Sequence, residues 1–352
     1  MDTHQNLQAR LFKYAEQLGF GELHFKLDHD TGLFAIVAVH STKLGPALGG
    51  CRCIEYETIN EAMRDVLRLA QGMSYKAALA NLQLGGGKAV IPKPKEIKDR
   101  KAYFEAFGEF VETLGGRYIT AVDSGTSPYD MDIIATKTKH VTSTTDIDGD
   151  PSPFTAHGVC RSVQAAVKHK LGHDSLDGLH VAIQGVGHVG RLLAHELHSL
   201  GARLTVTDVN EENLKYCVEQ FNAQVVHPDE IYAVDCDVFS PCALGASIND
   251  DTIPQLKCSI IVGAANNQLA ESRHGSILLE KGILYAPDFV VNSGGLIYAC
   301  AQYYKLPKKE VHQKVDKIYD TLLEIFTRSD EEKRATSIIA DEVALERLNK
   351  GE

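Results

Sequence analysis

Apolar positions along the chain follow two rhythms, one of 3.6 residues and one of two or fewer, and their order sketches the architecture. Residues 6–18 carry a helical pattern, and residues 34–40 form a β-type run that leads into a turn-rich loop at residues 44–50. Thr58 to Glu61 reads as a capping box. After it, Ile59, Met63, Val66, Leu69 or Ala70, and Met73 recur at helical spacing. The next position on that stripe is Lys76. Tyr118 to Val122 is another strand-like run and ends at Asp123-Ser124-Gly125. Ser127-Pro128 then has the serine cap and first-turn proline of a helix start.

Residues 142–153 are rich in Thr, Asp, Gly and Pro, the composition of a linker, and a helix is predicted from about Ala156 to Lys170. From Leu179 the character changes. HVAIQGVGHVG reads as a short buried strand, a glycine loop and a helix start. That helix runs to about Leu200, with Gly201 as a left-handed stop. Strand-like runs follow at residues 204–208, 233–240, 259–263 and 283–286, and Val311, Val315, Ile318, Leu322 and Ile325 mark the last long helix. Strands alternating with helices predict a doubly wound parallel sheet. The expectation is an α/β protein of two domains with a cleft between them. Residues 1–145, rejoined by a C-terminal helix at about 328–352, form the first, and residues 146–327 form a Rossmann-type second.

Composition fits this plan: 352 residues at 44% apolar suffice for two cores. A formal net charge of −11 argues against general binding to nucleic acid or an anionic membrane. No apolar run reaches the length of a membrane span, and MDTHQNLQAR lacks a signal-peptide layout, so a cytoplasmic location is expected. The 8 cysteines lie mostly in apolar segments and read as reduced core thiols; Cys51 and Cys53 would share one face of a strand. The 15 histidines include no H-E-x-x-H. His169 and His173 read as covering a helix end at Gly172, and no metal site is expected.

Two stretches carry chemistry. Gly185-Val186-Gly187-His188-Val189-Gly190 fits G-x-G-x-x-G, follows a strand, opens a helix, and has Asp208 at the end of the next strand about 20 residues on. Gly185 permits the tight turn, Gly187 lets a pyrophosphate approach the backbone, and Gly190 lets helix and strand pack closely. The helix N-terminus favours phosphate charge. Asp208 would bind the adenosine ribose and repel a 2′-phosphate, favouring NAD over NADP. The other stretch, GMSYKAALANLQLGGGKAVI, brackets an uncharged segment with Lys76 and Lys88. Two ammonium groups in one apolar site repel each other and lose hydration, which lowers a lysine pKa, and a neutral lysine is a base. The triple glycine permits close approach and positive φ. Asp123, at a strand end beside small residues, could line the same cleft or be a turn-forming aspartate.

At these residues the chain resembles the amino-acid dehydrogenase family of leucine, phenylalanine, valine and glutamate dehydrogenases, above all its leucine and phenylalanine branch. The matching motifs are LGPALGGCR (44–52), GMSYK (72–76), GGGKAVI (85–91), YITAVDSGT (118–126), SPFTAHGV (152–159), the glycine fingerprint, GAANNQL (263–269) and APDFVVNSGG (286–295). The resemblance implies that Lys88 is the catalytic base and that Lys76, with the Gly49-Gly50 backbone, holds the substrate α-carboxylate. Asp123 would bind the α-amino group and relay protons. Thr155, Asn267 and Asn292 would contact the nicotinamide or its ribose, and Leu48, Ala121, Leu296 and Ala299 would line the side-chain pocket.

The implied reaction is reversible NAD-dependent oxidative deamination of an apolar L-amino acid, leucine, valine or isoleucine first, to a 2-oxo acid and ammonia. Residues 1–145 would bind the substrate and oligomerise, and residues 146–327 would bind NAD. The alternatives are a phenylalanine or other aromatic amino-acid dehydrogenase, a 2-hydroxy-acid dehydrogenase, or a non-catalytic NAD-binding paralogue. The sequence departs from leucine dehydrogenases at Val122, where they carry an acidic residue, and at Leu296 and Ala299, where they carry valines. It also stops at Glu352, without the tail of octameric relatives, so a homodimer is expected ahead of higher homo-oligomers.

Overall fold

In the computed structural model, residues 13–16, 18–19, 21–145 and 150–350 are described. The helix expected over residues 6–18 falls largely outside them, with 13–16 helical. The chain divides into two compact units: Met1–Gly149, Ala299–Leu306 and Ala344–Glu352 form unit 1, and Asp150–Tyr298 with Pro307–Val343 forms unit 2. The first division falls at Gly149/Asp150, against the expected 145/146. The expected return at about residue 328 is corrected: unit 1 regains the chain at Ala299–Leu306, where the Tyr304 hydroxyl donates to the Gln83 carbonyl, and again from Ala344, where Arg347 donates to the Leu79 carbonyl.

Unit 1 is built on five strands. These are β1 (Glu22–Asp28), β2 (Leu33–Ser41), β3 (Ala47–Ile54), β4 (Gly85–Pro92) and β5 (Tyr118–Val122), in the order β1-β2-β4-β3-β5. β1 and β2 run antiparallel, as do β2 and β4, whereas β3 is parallel to both β4 and β5. Between β3 and β4 lies α1 (Ile59–Leu79), whose N-terminus is capped by the Thr58 hydroxyl accepting from the Glu61 amide. α1 packs on β2 and β4 through Ala62, Met63, Val66, Leu67 and Ala70. The opposite face of the sheet is covered by α2 (Arg100–Thr113) and α3 (Pro128–Ala135), through Phe104, Phe107, Phe110, Met131 and Ile134. The Ser127-Pro128 start forms as expected, with a reciprocal capping box between Ser127 and Asp130.

Two expectations fail here for one reason. The loop expected at residues 44–50 is a strand from Ala47 onward, and the triple glycine, expected to allow close approach and positive φ, opens β4 with close approach alone. Glycine here answers to crowding rather than turning, and none of Gly85, Gly86 and Gly87 has a positive φ. A Cβ on Gly86 would lie 2.0 Å from the Ser74 nitrogen of α1, and one on Gly87 would lie 2.8 Å from the Tyr118 ring.

Unit 2 begins with α4 (Ser152–Leu171), which starts four residues earlier than expected and stops at Gly172 with φ +83°. It continues through β6 (His180–Gln184), α5 (His188–Ser199), β7 (Arg203–Thr207), α6 (Glu211–Phe221), β8 (Gln224–Val225), β9 (Val238–Pro241), β10 (Ile260–Ile261), α7 (Arg273–Glu280) and β11 (Leu284–Tyr285). Then come α8 (Asp288–Val291), α9 (Gly294–Tyr304), α10 (Lys308–Glu332) and α11 (Thr336–Asn349), the end of α9 and the last residues of α11 belonging to unit 1. The sheet is parallel throughout, in the order β11-β10-β9-β6-β7-β8. This is the doubly wound Rossmann order, with the topological switch between β6 and β9. The strand expected over 233–240 is shorter, because Ile231–Ala233 forms a single 3₁₀ turn. The α10 stripe Val311, Val315, Ile318, Leu322 and Ile325 is buried as its spacing predicts, and α10 packs along α4. All eight cysteines are free thiols, with Cys51 and Cys53 together in the α2-side core. Among the described residues no helix is long and apolar enough to cross a membrane.

Candidate active site

Strand register decides which side chains meet in unit 1. Leu48 pairs with Gly86 and Ile119, and Gly50 with Ala121. By the two-residue period, Leu48, Gly50, Arg52, Lys88, Val90, Ala121 and Asp123 therefore project on one side, the side α1 covers. Lys88 is 6% exposed, and its ammonium lies on Asp123 Oδ2. Asp123 Oδ1 accepts from the Ser124 amide at 2.5 Å and faces Arg52 Nε at 3.4 Å. Burial alone would push the Asp123 carboxyl up, but Lys88 and Arg52 together hold it below its usual range.

The ladder gives way beside this pair. Cα partners run Ala47–Gly85 and Leu48–Gly86 and resume only at Cys51–Ala89, so pairing lapses at Gly49 and Gly50 opposite Gly87 and Lys88. The Gly49 carbonyl accepts from the Tyr118 hydroxyl at 2.6 Å, and a Cβ on Gly50 would collide with the Asp123 side chain. Leu48 and Ala121 are buried and apolar. Lys76 sits in the last turn of α1, half-buried. That turn is held by His40 of β2. His40 Nε2–H donates to the Leu18 carbonyl at 2.9 Å, so Nδ1 accepts from the Ser74 hydroxyl at 2.8 Å. Burial lowers the His40 pKa, in keeping with this neutral tautomer.

Arg52 is the residue that the sequence reading left without a role. Its Nη1 also donates to Asp65 Oδ2 at 2.9 Å, and Asp65 accepts from Tyr56 at 2.7 Å and from Arg68 at 3.0 Å. The signal for Arg52 was its place within LGPALGGCR. For Asp65 there was none, since it lies on the polar flank of an ordinary amphipathic helix. Val122, opposite Cys51, is 37% exposed, and the charged partners of Asp123 come from β3 and β4.

In unit 2 the fingerprint turns at Gly185, with φ +92° and Ala243 packed against its Cα. Gly187 caps α5, and among the described residues nothing beyond its chain neighbours lies within 4 Å of where its Cβ would be, whereas one on Gly190 would strike the Gly185 carbonyl. His188 and Val189 open α5, with His188 exposed. Asp208, just beyond β7, accepts from the Val186 amide through Oδ2 at 2.7 Å and from the Asn210 amide through Oδ1 at 2.9 Å. The loop after β9 joins this turn to a second cluster. There the Ala246 amide donates to the Asn267 carbonyl at 2.7 Å, and Asn292 Nδ2 donates to Asn266 Oδ1 at 2.8 Å. Thr155, in the first turn of α4, lies against Gly294 and Gly295.

These residues fit a dinucleotide. The open space at Gly187 suits a pyrophosphate over the α5 N-terminus, and Asn292 Oδ1 is buried with no hydrogen-bond partner among the described residues. Sequence reading missed the loop at residues 242–247, which carries no motif of its own. Leu296 and Ala299 lie three apart on α9, the first in unit 2 and the second in unit 1.

Comparison with known proteins shows the family of the chain. The profile of the Glu/Leu/Phe/Val dehydrogenase dimerisation domain matches residues 20–140, and that of Glutamate/Leucine/Phenylalanine/Valine dehydrogenase matches residues 205–350. The chain is 48% identical to a leucine dehydrogenase of Thermoactinomyces intermedius over 342 residues, 96% of this chain and 93% of that one. It is 45% identical to a phenylalanine dehydrogenase of Lysinibacillus sphaericus, over 88% of this chain and 83% of that one. The crystal structure of L-tryptophan dehydrogenase from Nostoc punctiforme superposes with a TM-score of 0.90 at 40% identity, covering 97% of this chain and 99% of the other. The chain belongs to the Glu/Leu/Phe/Val dehydrogenase family.

Proposed function

We propose that the protein catalyses NAD-dependent, reversible oxidative deamination of an apolar L-amino acid, with leucine, valine and isoleucine preferred, to the 2-oxo acid and ammonia. As a member of its family it is an amino-acid dehydrogenase; the substrate, the cofactor and the residue roles are our reading. Unit 1 binds the amino acid and mediates self-association into a homodimer or higher homo-oligomer. Unit 2 binds NAD. The enzyme works in the cytoplasm.

The observation that carries the reading is the buried Lys88 bound to Asp123 on the sheet face covered by α1. Lys76 pairs with the substrate carboxylate, beside the lapse in pairing at Gly49 and Gly50. Asp123 receives the α-ammonium and Lys88 takes its proton. Bound NAD supplies the hydride acceptor. It is held by Gly185, Gly187, His188, Val189 and Gly190 at the pyrophosphate, by Asp208 at the ribose, and by Thr155, Asn267 and Asn292 at the nicotinamide end. Once Lys88 has released that proton to solvent and Cα has lost hydride, Lys88 takes a proton from the water that attacks the imine carbon and returns it to the amine, and the carbinolamine collapses to 2-oxo acid and ammonia. Leu48 and Ala121 of unit 1 contact the side chain; both are uncharged, as are Leu296 and Ala299, which disfavours glutamate.

The test is NADH formation over a panel of common L-amino acids, repeated with Lys88→Ala. Turnover of the branched-chain acids is expected, with kcat of the variant down about 10²–10⁴-fold and NAD affinity intact. Preference for phenylalanine or tryptophan would move the substrate assignment, and wild-type turnover by Lys88→Ala would remove the base.

A further inference from the structure

We infer that Arg52 is a positioning residue for the reaction: seated on the second oxygen of the Asp123 carboxylate, it keeps that carboxylate ionised and paired when the Lys88 amine gives up its proton. This rests on the assignment of Lys88 as the base. A lysine ammonium bound to a lone buried carboxylate is a poor base, because deprotonation strands an anion out of water. Here the two cations divide one carboxylate, Lys88 on Oδ2 and Arg52 on Oδ1. A guanidinium does not deprotonate in proteins. When Lys88 turns neutral, Asp123 therefore still faces a fixed cation, and when Lys88 is charged it feels like-charge repulsion from Arg52.

The geometry of Arg52 is itself held. Asp65 accepts Nη1 at 2.9 Å, and Tyr56 and Arg68 fill the remaining positions on Asp65 at 2.7 and 3.0 Å. Asp65 thus aims the guanidinium and offsets part of its charge. Other charged or titratable groups lie on the elements packed around this pair. Lys76 lies in the last turn of α1. His40 of β2 is neutral in the tautomer its partners demand. Cys51 of β3 and Tyr118 of β5 are buried, and burial pushes both further toward the neutral form. Asp130 of α3 is closed off by a bidentate bond from Arg100 of α2 at 2.7 and 2.8 Å.

The test is the pH profile of kcat/KM for the full-length protein, with thermal unfolding and NAD affinity measured alongside. Removing the cation in Arg52→Gln should move the acid limb upward by about one pH unit, so that kcat/KM is about tenfold low below the limb and recovers at alkaline pH. Arg52→Lys should restore most of the loss. Asp65→Asn, which removes the offsetting anion, should move the limb downward, and it carries the test if Arg52→Gln does not fold. A loss by the same factor at every pH, or an unshifted limb in both the arginine and the Asp65 variants, overturns the inference. Failure of the underlying reading looks different, since Lys88→Ala would then keep its turnover whatever Arg52 does.

Discussion

The candidate sites of the two units are made of opposite materials. In unit 1 the chemistry rests on side-chain charges that satisfy one another: Lys88, Asp123, Arg52 and Asp65 form a chain of alternating sign across β4, β5, β3 and α1. In unit 2 it rests mostly on backbone and uncharged groups, with the Asp208 carboxylate beside them and Asn292 Oδ1 among the buried acceptors left unmatched by the described residues. Glycine shows the same contrast. A Cβ on Gly49 would fall 1.8 Å from the Gly87 carbonyl, so this glycine is required by the protein's own packing. Among the described residues nothing beyond its chain neighbours lies within 4 Å of the Cβ position at Gly187, so no packing among them requires that glycine. A reaction that moves protons needs charges already in place, whereas a site for a charged ligand needs donors and room.

The sharpest way to break this comparison is to fill both spaces. Gly49→Ala should destabilise unit 1 by about 3 kcal/mol or more, because backbone on a neighbouring central strand must move. Gly187→Ala should leave unfolding within about 0.5 kcal/mol of wild type while weakening NAD binding at least roughly tenfold, since its Cβ occupies the pyrophosphate approach. Urea unfolding and a fluorescence titration with NADH read the two effects. A Gly187→Ala protein that binds normally would remove the cofactor reading of that space.

A smaller effect is expected at Asp208. Its carboxylate already accepts from Val186 and Asn210, so it is oriented before any ligand arrives. Asp208→Asn keeps those bonds largely possible and removes the charge. The ratio of kcat/KM for NAD over NADP should fall about tenfold, in the range of one hydrogen bond to a charged group. An unchanged ratio would mean that another residue reads the ribose.

The contrast also explains what the sequence could say. The unit 2 turn was legible because Gly185, Gly187, Gly190 and Asp208 fall within one strand–helix–strand passage, where local spacing reports geometry. The alternation that predicted the doubly wound sheet is similarly local. In unit 1, Lys88 and Lys76 stand out as charges in apolar runs, but Gly49 and Gly50 read as loop, and the triple glycine as room for close approach or positive φ, because glycine more often marks a turn than a strand. Their strand character depends on Ser74, Tyr118 and Gly49 across the sheet, and spacing along the chain carries no trace of that. Arg52 and Asp65 went unassigned for the same reason. An arginine and a helix-surface aspartate look ordinary until strand register sets them against Asp123.

The two units should also answer to pH in opposite directions, and this is the finest test of their different construction. In unit 1, burial would raise the Asp65 and Asp123 carboxyls, but Tyr56, Arg52 and Arg68 on the first and Lys88 and Arg52 on the second hold both below the usual range. A depressed carboxyl contributes stability that is present above its unfolded value of about 3.9 and is lost as pH falls through the folded value. In unit 2, His157 of α4 is held between Glu196 of α5 at 3.0 Å and Asp316 of α10 at 3.1 Å, with Arg161 also on Asp316. The Glu196 bond raises the imidazole against the opposing effect of burial, and Asp316 adds to it. A raised histidine contributes fully below about pH 6.5 and loses that contribution as pH rises through its folded value. The Tm deficit of His157→Gln should therefore be largest near about pH 6 and shrink by about pH 9, while that of Asp65→Asn stays level across this interval and shrinks only below about pH 4. Because Glu196 and Asp316 are partly exposed, solvent screening keeps the histidine effect the smallest of the set. A His157→Gln deficit that is equal at both ends of the interval would show that His157 ties the three helices by packing alone, leaving charge as the organising principle of unit 1 only.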